Sequence, residues 1–130
     1  MKARETAMRL KRREVDEKAR KVEDLERIIR EFDQMALDLE RQIQLEEDRT
    51  GIRDRGHFSY STFAKAAAQR RDNLKTSTDG LREKLANAVR ERDDTASELA
   101  RAAAQAEHRD DSHGHRLGRR RERNVAAALR

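Results

Sequence analysis

The chain has no cysteine, no proline and no tryptophan, and only four aromatic residues, one Tyr and three Phe, among 130. Without cysteine there is no disulfide framework and no thiolate chemistry, a composition compatible with the cytoplasm. Without proline the commonest helix breaker is missing. Charged residues make up 44% and apolar residues 35%, so a core of ordinary globular thickness cannot be filled. No apolar run approaches the ~20 residues that span a bilayer. The opening Met1-Lys2-Ala3-Arg4-Glu5-Thr6 lacks the apolar segment of a signal peptide. There is no phosphate-cradling Gly-rich loop and no nucleophile with a plausible base. What such a composition suits is a long helix or coiled coil, in which only one stripe is buried. Disorder is the competing reading for so polar a chain, and the regular apolar spacing argues against it.

That spacing starts at residue 8. Met8, Val15, Val22, Ile29, Ala36 and Ile43 recur every seven residues, and Lys11, Lys18, Leu25, Phe32, Leu39 and Glu46 occupy the complementary position. A seven-residue repeat predicts a left-handed supercoil with a partner helix. Ile28 and Met35 widen the stripe, whereas Lys11 and Lys18 narrow it, so packing is expected to be tightest over 22–45. An arm of about 40 residues would run roughly 60 Å. A core seam is the plain reading of the stripe; a groove for a foreign helix is the alternative.

A second arm follows. Leu74, Thr78, Leu81, Leu85, Ala88 and Arg92 keep a four-three spacing, continued by Ala96, Leu99, Ala103 and Ala106. The step from Arg92 to Ala96 adds a residue, which predicts a local relaxation of the supercoil. Asp79-Gly80 is a weak point costing about 1 kcal/mol relative to Ala, but the stripe keeps phase across it. Between the arms lies Asp48–Phe63, with Gly51, Gly56 and three of the four aromatic residues. Gly51 suits the left-handed residue that closes a helix, and Ser59 and Ser61 suit the start of the next. The expected fold is therefore all-α: an antiparallel two-helix coiled-coil hairpin over 1–111, with arms of about 4–47 and 61–111, a tip at 48–60 and a loosely ordered basic tail at 112–130. Centring the turn near residue 54 sets Met35, Leu39 and Ile43 against Ala64, Ala67 and Ala68, and Met8 against Ala100 and its neighbours, and leaves everything beyond about 105 without a partner in the first arm. So thin a hairpin should be marginal alone and better ordered on a partner.

The net charge of +5 is concentrated at the ends. Residues 1–13 hold Lys2, Arg4, Arg9, Lys11, Arg12 and Arg13 against Glu5, and residues 116–130 hold six arginines against Glu122. Two basic ends point to an acidic partner or surface. Nucleic acid is one such partner, but no aromatic residue lies among these cations to stack bases. Asp93-Asp94 and Asp110-Asp111 read as solvated faces, since a catalytic pair needs a cleft that a thin hairpin does not offer. His108, Asp111, His113 and His115 fit no standard metal spacing. No enzyme activity, metal, cofactor or small-molecule ligand is expected.

Two stretches carry a resemblance. Phe58-Ser-Tyr60 with Phe63-Ala-Lys-Ala-Ala-Ala-Gln-Arg-Arg-Asp-Asn-Leu74 is one; Met1-Lys2-x-Arg4-Glu5-Thr6 with Arg9-Leu-Lys-Arg12 and Val15-Asp-Glu-Lys18 is the other. Together they resemble the alphaproteobacterial branch of the flagellar export protein FliJ family over roughly residues 1–105. The resemblance implies a cytoplasmic, non-enzymatic component of the flagellar type III export apparatus, peripherally associated with the inner membrane at the flagellar base. It implies a stalk and general chaperone whose partners are the hexameric export ATPase, the export gate membrane protein and late-substrate export chaperones. The ATPase-facing residues would be Lys2, Arg4, Arg9, Lys11 and Arg12 with Leu99 and Ala103. The gate-facing residues would be Phe58, Tyr60, Phe63, Gln69, Arg70 and Arg71. The tail from about residue 108 departs from the family pattern. The alternatives are a nucleic-acid-binding helical hairpin and a plain structural coiled coil.

Overall fold

The computed structural model describes residues 2–128; the side chains of residue 113 and of 115–128 lie outside that description. It is an all-α, antiparallel two-helix hairpin, as the periodicity predicts. Helix α1 spans Lys2–Thr50, α2 spans Thr62–Ala128, and residues 51–61 connect them. No strand occurs among the described residues. Of the tail expected at 112–130, the backbone is helical to Ala128, and nearly all its side chains fall outside the described residues. The chain divides into two compact units, residues 18–91 and residues 1–17 with 92–130.

In the unit of residues 18–91, α1 buries Val22, Ile29, Ala36 and Ile43, one residue every seven. Leu25, Phe32 and Leu39 at the complementary position are half-buried. From α2 the buried residues are Ala64, Ala67, Ala68, Thr78 and Ala88. Ile43 packs with Tyr60 and the three alanines, flanked by Leu39 and Ile52. Small side chains on α2 let the helix come close, and Ile43 fills the space they leave. Met35, expected in this cluster, is not part of it. It is half-exposed and instead lines an open hollow with Leu39 and Leu74. Gly80 sits within an unbroken α2, so the expected weak point produces no break.

Ion pairs across this unit set the direction of the helices. Asp33 meets Arg82 at 3.4 Å and Glu40 meets Lys75 at 3.3 Å. Both acids and both cations are seven residues apart, and they pair in opposite chain order, as antiparallel helices require. Each pair is exposed and contributes at most about 1 kcal/mol, so their effect is on register more than on stability.

In the unit of residues 1–17 and 92–130 the seam gains a buried threonine and the expected pairing limit of 105 is exceeded. Thr95 is buried at 3% exposure, three residues after half-buried Arg92 and four before half-buried Leu99. The seam at 92–99 is therefore shared by Thr95, which is buried, and the expected Ala96, which is half-buried, and it continues through half-buried Ala103 with Ala102 exposed. Thr78, seventeen residues earlier on the same seam, solves the same problem by donating its hydroxyl to the Leu74 carbonyl at 2.8 Å. The pairing also runs further than expected. Met8 shares a hollow with Ala102, Gln105 and Ala106, next to the Ala100 neighbourhood expected, and Lys11 pairs with Glu98 as that register predicts, but Arg109 also lines the hollow with Arg4, beyond the expected limit of 105. The turn itself is longer than expected: α1 continues to Thr50 and α2 begins only at Thr62, so the midpoint between them falls at Gly56 and not at residue 54.

Candidate partner-binding site

The connection between the helices is held by its own hydrogen bonds. Gly51 takes the left-handed conformation, with φ 71°, and its N–H donates to the Glu47 carbonyl at 2.8 Å. That is the glycine closure of a helix C-terminus. Asp54 Oδ1 accepts from the Gly56 N–H at 2.9 Å. The His57 N–H donates to the Asp54 carbonyl, and the Tyr60 N–H to the His57 carbonyl, forming two successive turns. Ser61 Oγ accepts from the Ala64 N–H at 3.2 Å, which makes Ser61 the N-cap of α2. Ser59 has a different role, its N–H donating to His57 Nδ1.

Two side chains tie this connection back to α1. The Tyr60 hydroxyl donates to Glu47 Oε1 at 2.8 Å, and the Ser61 hydroxyl donates to Glu46 Oε1 at 2.9 Å. Hydrogen bonds from Arg49 and then Ser61 hold the Glu46 carboxyl below its ordinary value. Burial, reinforced by the neighbouring Glu47, pushes the Tyr60 phenol up. Tyr60, placed by the sequence among partner contacts, is thus a buried residue with its hydroxyl engaged.

The other residues expected near the tip divide in two. Phe58 is 95% exposed and stacks on His57, with centroids 4.7 Å apart and planes 22° from parallel. Phe63 is 58% exposed, and Gln69 and Arg70 are also exposed. Arg71 is different: it is half-buried and reaches Asp72 at 3.2 Å and Glu40 at 3.8 Å. Arg70 rims the hollow that holds Met35, Leu39 and Leu74, about 420 Å³ in volume, with Gln42 and Asn73 alongside.

At the start of α1, Lys2, Arg4, Arg9 and Arg12 are exposed, as is Arg13. None of these five makes an ion pair among the described residues. Lys11 differs: its ammonium bridges Glu98 of α2 and Glu14 of its own helix. The hydrogen bond that Lys11 donates to Glu98 is the main cause that raises the Lys11 pKa, with Glu14 adding to it. Lys11 therefore helps join the helices. Leu99 and Ala103 are half-buried along the seam. The α2 segment in this unit carries Asp93, Asp94, Glu98, Glu107, Asp110 and Asp111 against Arg92, Arg101 and Arg109 over 92–111, and its sequence turns basic over 116–130. The basic start thus belongs to a unit that has acids over 92–111 and is still net basic in sequence.

Arg109 was missed by sequence reasoning because the assumed register ended the pairing at 105. It shares a hollow with Arg4 over a floor of Ala7, Met8 and Ala106. No group of three His, Cys, Asp or Glu side chains that could hold a metal is present among the described residues, and His113 and His115 lie outside the described side chains. No described helix is long and apolar enough to cross a membrane. Comparison with protein families, curated proteins and solved structures returns no match.

Proposed function

We propose that this chain is a non-enzymatic stalk and general chaperone of the flagellar type III export apparatus, working in the cytoplasm at the inner membrane. It binds the export ATPase ring through the start of α1 and the export gate through Arg70, Gln69 and the tip, and it assists late-substrate chaperones. The likeness at residues 1–18 and 58–74 supplies the specific system. The observation that carries the reading is that Lys2, Arg4, Arg9 and Arg12 are exposed and make no ion pair among the described residues.

Their position is costly within the isolated chain. Lys2 and Arg4 stand in the first turn of α1, where Glu5 is the only acid. Cations at that end oppose the helix dipole by about 0.3–1 kcal/mol each. Residues that break a local rule without an internal gain are where an outside partner is expected. An acidic surface on a ring would relieve that cost and orient the hairpin within it. A nucleic-acid role receives less support, since this unit has no aromatic residue among its described side chains to stack bases.

The test is charge reversal of Arg4, Arg9 and Arg12 to Glu, leaving Lys11 in place because it holds Glu98. ATPase binding at moderate salt should fall at least tenfold with helical content unchanged. Unaltered binding would refute the placement.

A further inference from the structure

Lys11 of α1 bridges to Glu98 of α2 within the unit of residues 1–17 and 92–130. One heptad further out, seven residues back on α1 and seven on along α2, the equivalent positions are Arg4 and Gln105. Both line one hollow with Arg109, over Ala7, Met8 and Ala106. The inner position sets an ammonium against a carboxylate. The outer one sets a guanidinium against an amide that carries no charge.

The lining of this hollow thus has two guanidiniums and no carboxylate. Neither Arg4 nor Arg109 makes an ion pair among the described residues. The acids nearby do not reverse this. Glu98 is engaged by Lys11, and Glu5, Glu107, Asp110 and Asp111 lie outside the lining. Residues 1–13 hold six cations against Glu5, and residues 98–111 add Arg101 and Arg109 against four carboxylates, so a cationic excess remains. At about 180 Å³ the hollow is smaller than the ~300 Å³ of ordinary small-molecule pockets, so it suits one side chain.

We propose that this hollow seats one glutamate side chain of the partner protein, its carboxylate between Arg4 and Arg109 and its methylenes against Met8 and Ala106. The planar guanidinium fork matches a carboxylate with two parallel hydrogen bonds. The apolar floor favours a carboxylate on a hydrocarbon stem over a phosphate, which has no apolar surface to bury there. The proposal rests on the reading that the start of α1 meets the ATPase ring, and it names the group on that ring: an acid that takes the place Gln105 leaves uncharged. It also brings Arg109 of α2 into the contact.

Gln105→Glu is the deciding variant, because it supplies the missing acid from within the chain. It should engage Arg4 and so weaken binding of the full chain to the ATPase about tenfold, the worth of one charged hydrogen bond, with the urea midpoint held or raised. Arg109→Gln should weaken binding by the same factor, and Arg13→Gln, outside the hollow, should leave it nearly unchanged. Equal losses for Arg13→Gln and Arg109→Gln would overturn the proposal in favour of diffuse attraction. Unaltered binding in Gln105→Glu would overturn it outright. The seat is also read without the ATPase, by NMR of the arginine Nε–H groups in the full chain. A synthetic helical peptide bearing glutamates should move the Arg4 and Arg109 signals together, and the same peptide with glutamines should not. Inorganic phosphate moving both signals at a lower concentration than the glutamate peptide would overturn the proposal in favour of a phosphate ligand. Peptide shifts confined to those two arginines, in a chain that the ATPase does not bind, would refute the stalk reading and leave the seat supported.

Discussion

Replacing Ile43 by Ala tests the packing most sharply. Ile43 is 5% exposed and surrounded by Ala64, Ala67 and Ala68, of which Ala64 is wholly buried. Alanines have no reach and cannot turn to fill a vacancy. The change removes three carbons, about 2.4 kcal/mol at ~0.8 kcal/mol each. A residual cavity adds to this, although a two-helix seam collapses more easily than a deep core, so the total should be about 2.5–3.5 kcal/mol. Leu45, two residues on, is 70% exposed, and Leu45→Ala should stay within about 0.5 kcal/mol. Urea unfolding followed by far-UV circular dichroism reads both. With a slope near 2 kcal/mol/M, Ile43→Ala should lower the midpoint by about 1–2 M and Leu45→Ala by a small fraction of that. Equal losses for the two would mean that the seven-residue stripe is not the packed face.

Other outcomes follow from the same structure. A Cβ at Gly80 would meet nothing within 4 Å, so Gly80→Ala should raise stability by about 0.5–1 kcal/mol; Gly51 has φ +71, so Gly51→Ala should lower it by about 1–2 kcal/mol, both read by urea midpoint. The Glu46 carboxyl is held below its ordinary value of 4.5, so its contribution is present above that pH and is lost as pH falls below it through the folded value. Amide protection over 61–68 should therefore drop in acid, and Glu46→Gln should flatten that dependence. Tyr60→Phe removes the 2.8 Å bond to Glu47 and should cost about 1 kcal/mol while leaving helical content intact.

The fold was legible because its apolar positions obey a simple repeat. Val22, Ile29, Ala36 and Ile43 announce a stripe without any reference to a partner, and Gly51 and Ser61 mark the two helix ends that face each other. The extent of the turn was less legible. Thr50 extends α1 by donating its hydroxyl to the Glu46 carbonyl, a local bond no periodicity reveals. Thr95 escaped notice because a seam was sought among apolar residues, and a buried hydroxyl breaks that pattern while keeping the spacing. The candidate sites divide on the same ground. Exposed cations such as Arg4 and Arg9 can be named from sequence, but whether a cation is free depends on its neighbours across the hairpin. Lys11 and Arg71 look the same as Arg12 and Arg70 in sequence, yet Glu98 and Glu40 claim them. Tyr60 and Phe58 are likewise alike in type and opposite in exposure, a difference set by the turn at His57.

The stalk reading is tested most directly by titrating the full chain onto the flagellar export ATPase from the same cell, following ring formation and ATP hydrolysis at moderate salt. The predicted result is stimulation of both at near-stoichiometric amounts, lost in the Arg4, Arg9 and Arg12 reversal. No stimulation by a chain shown to be helical would contradict it.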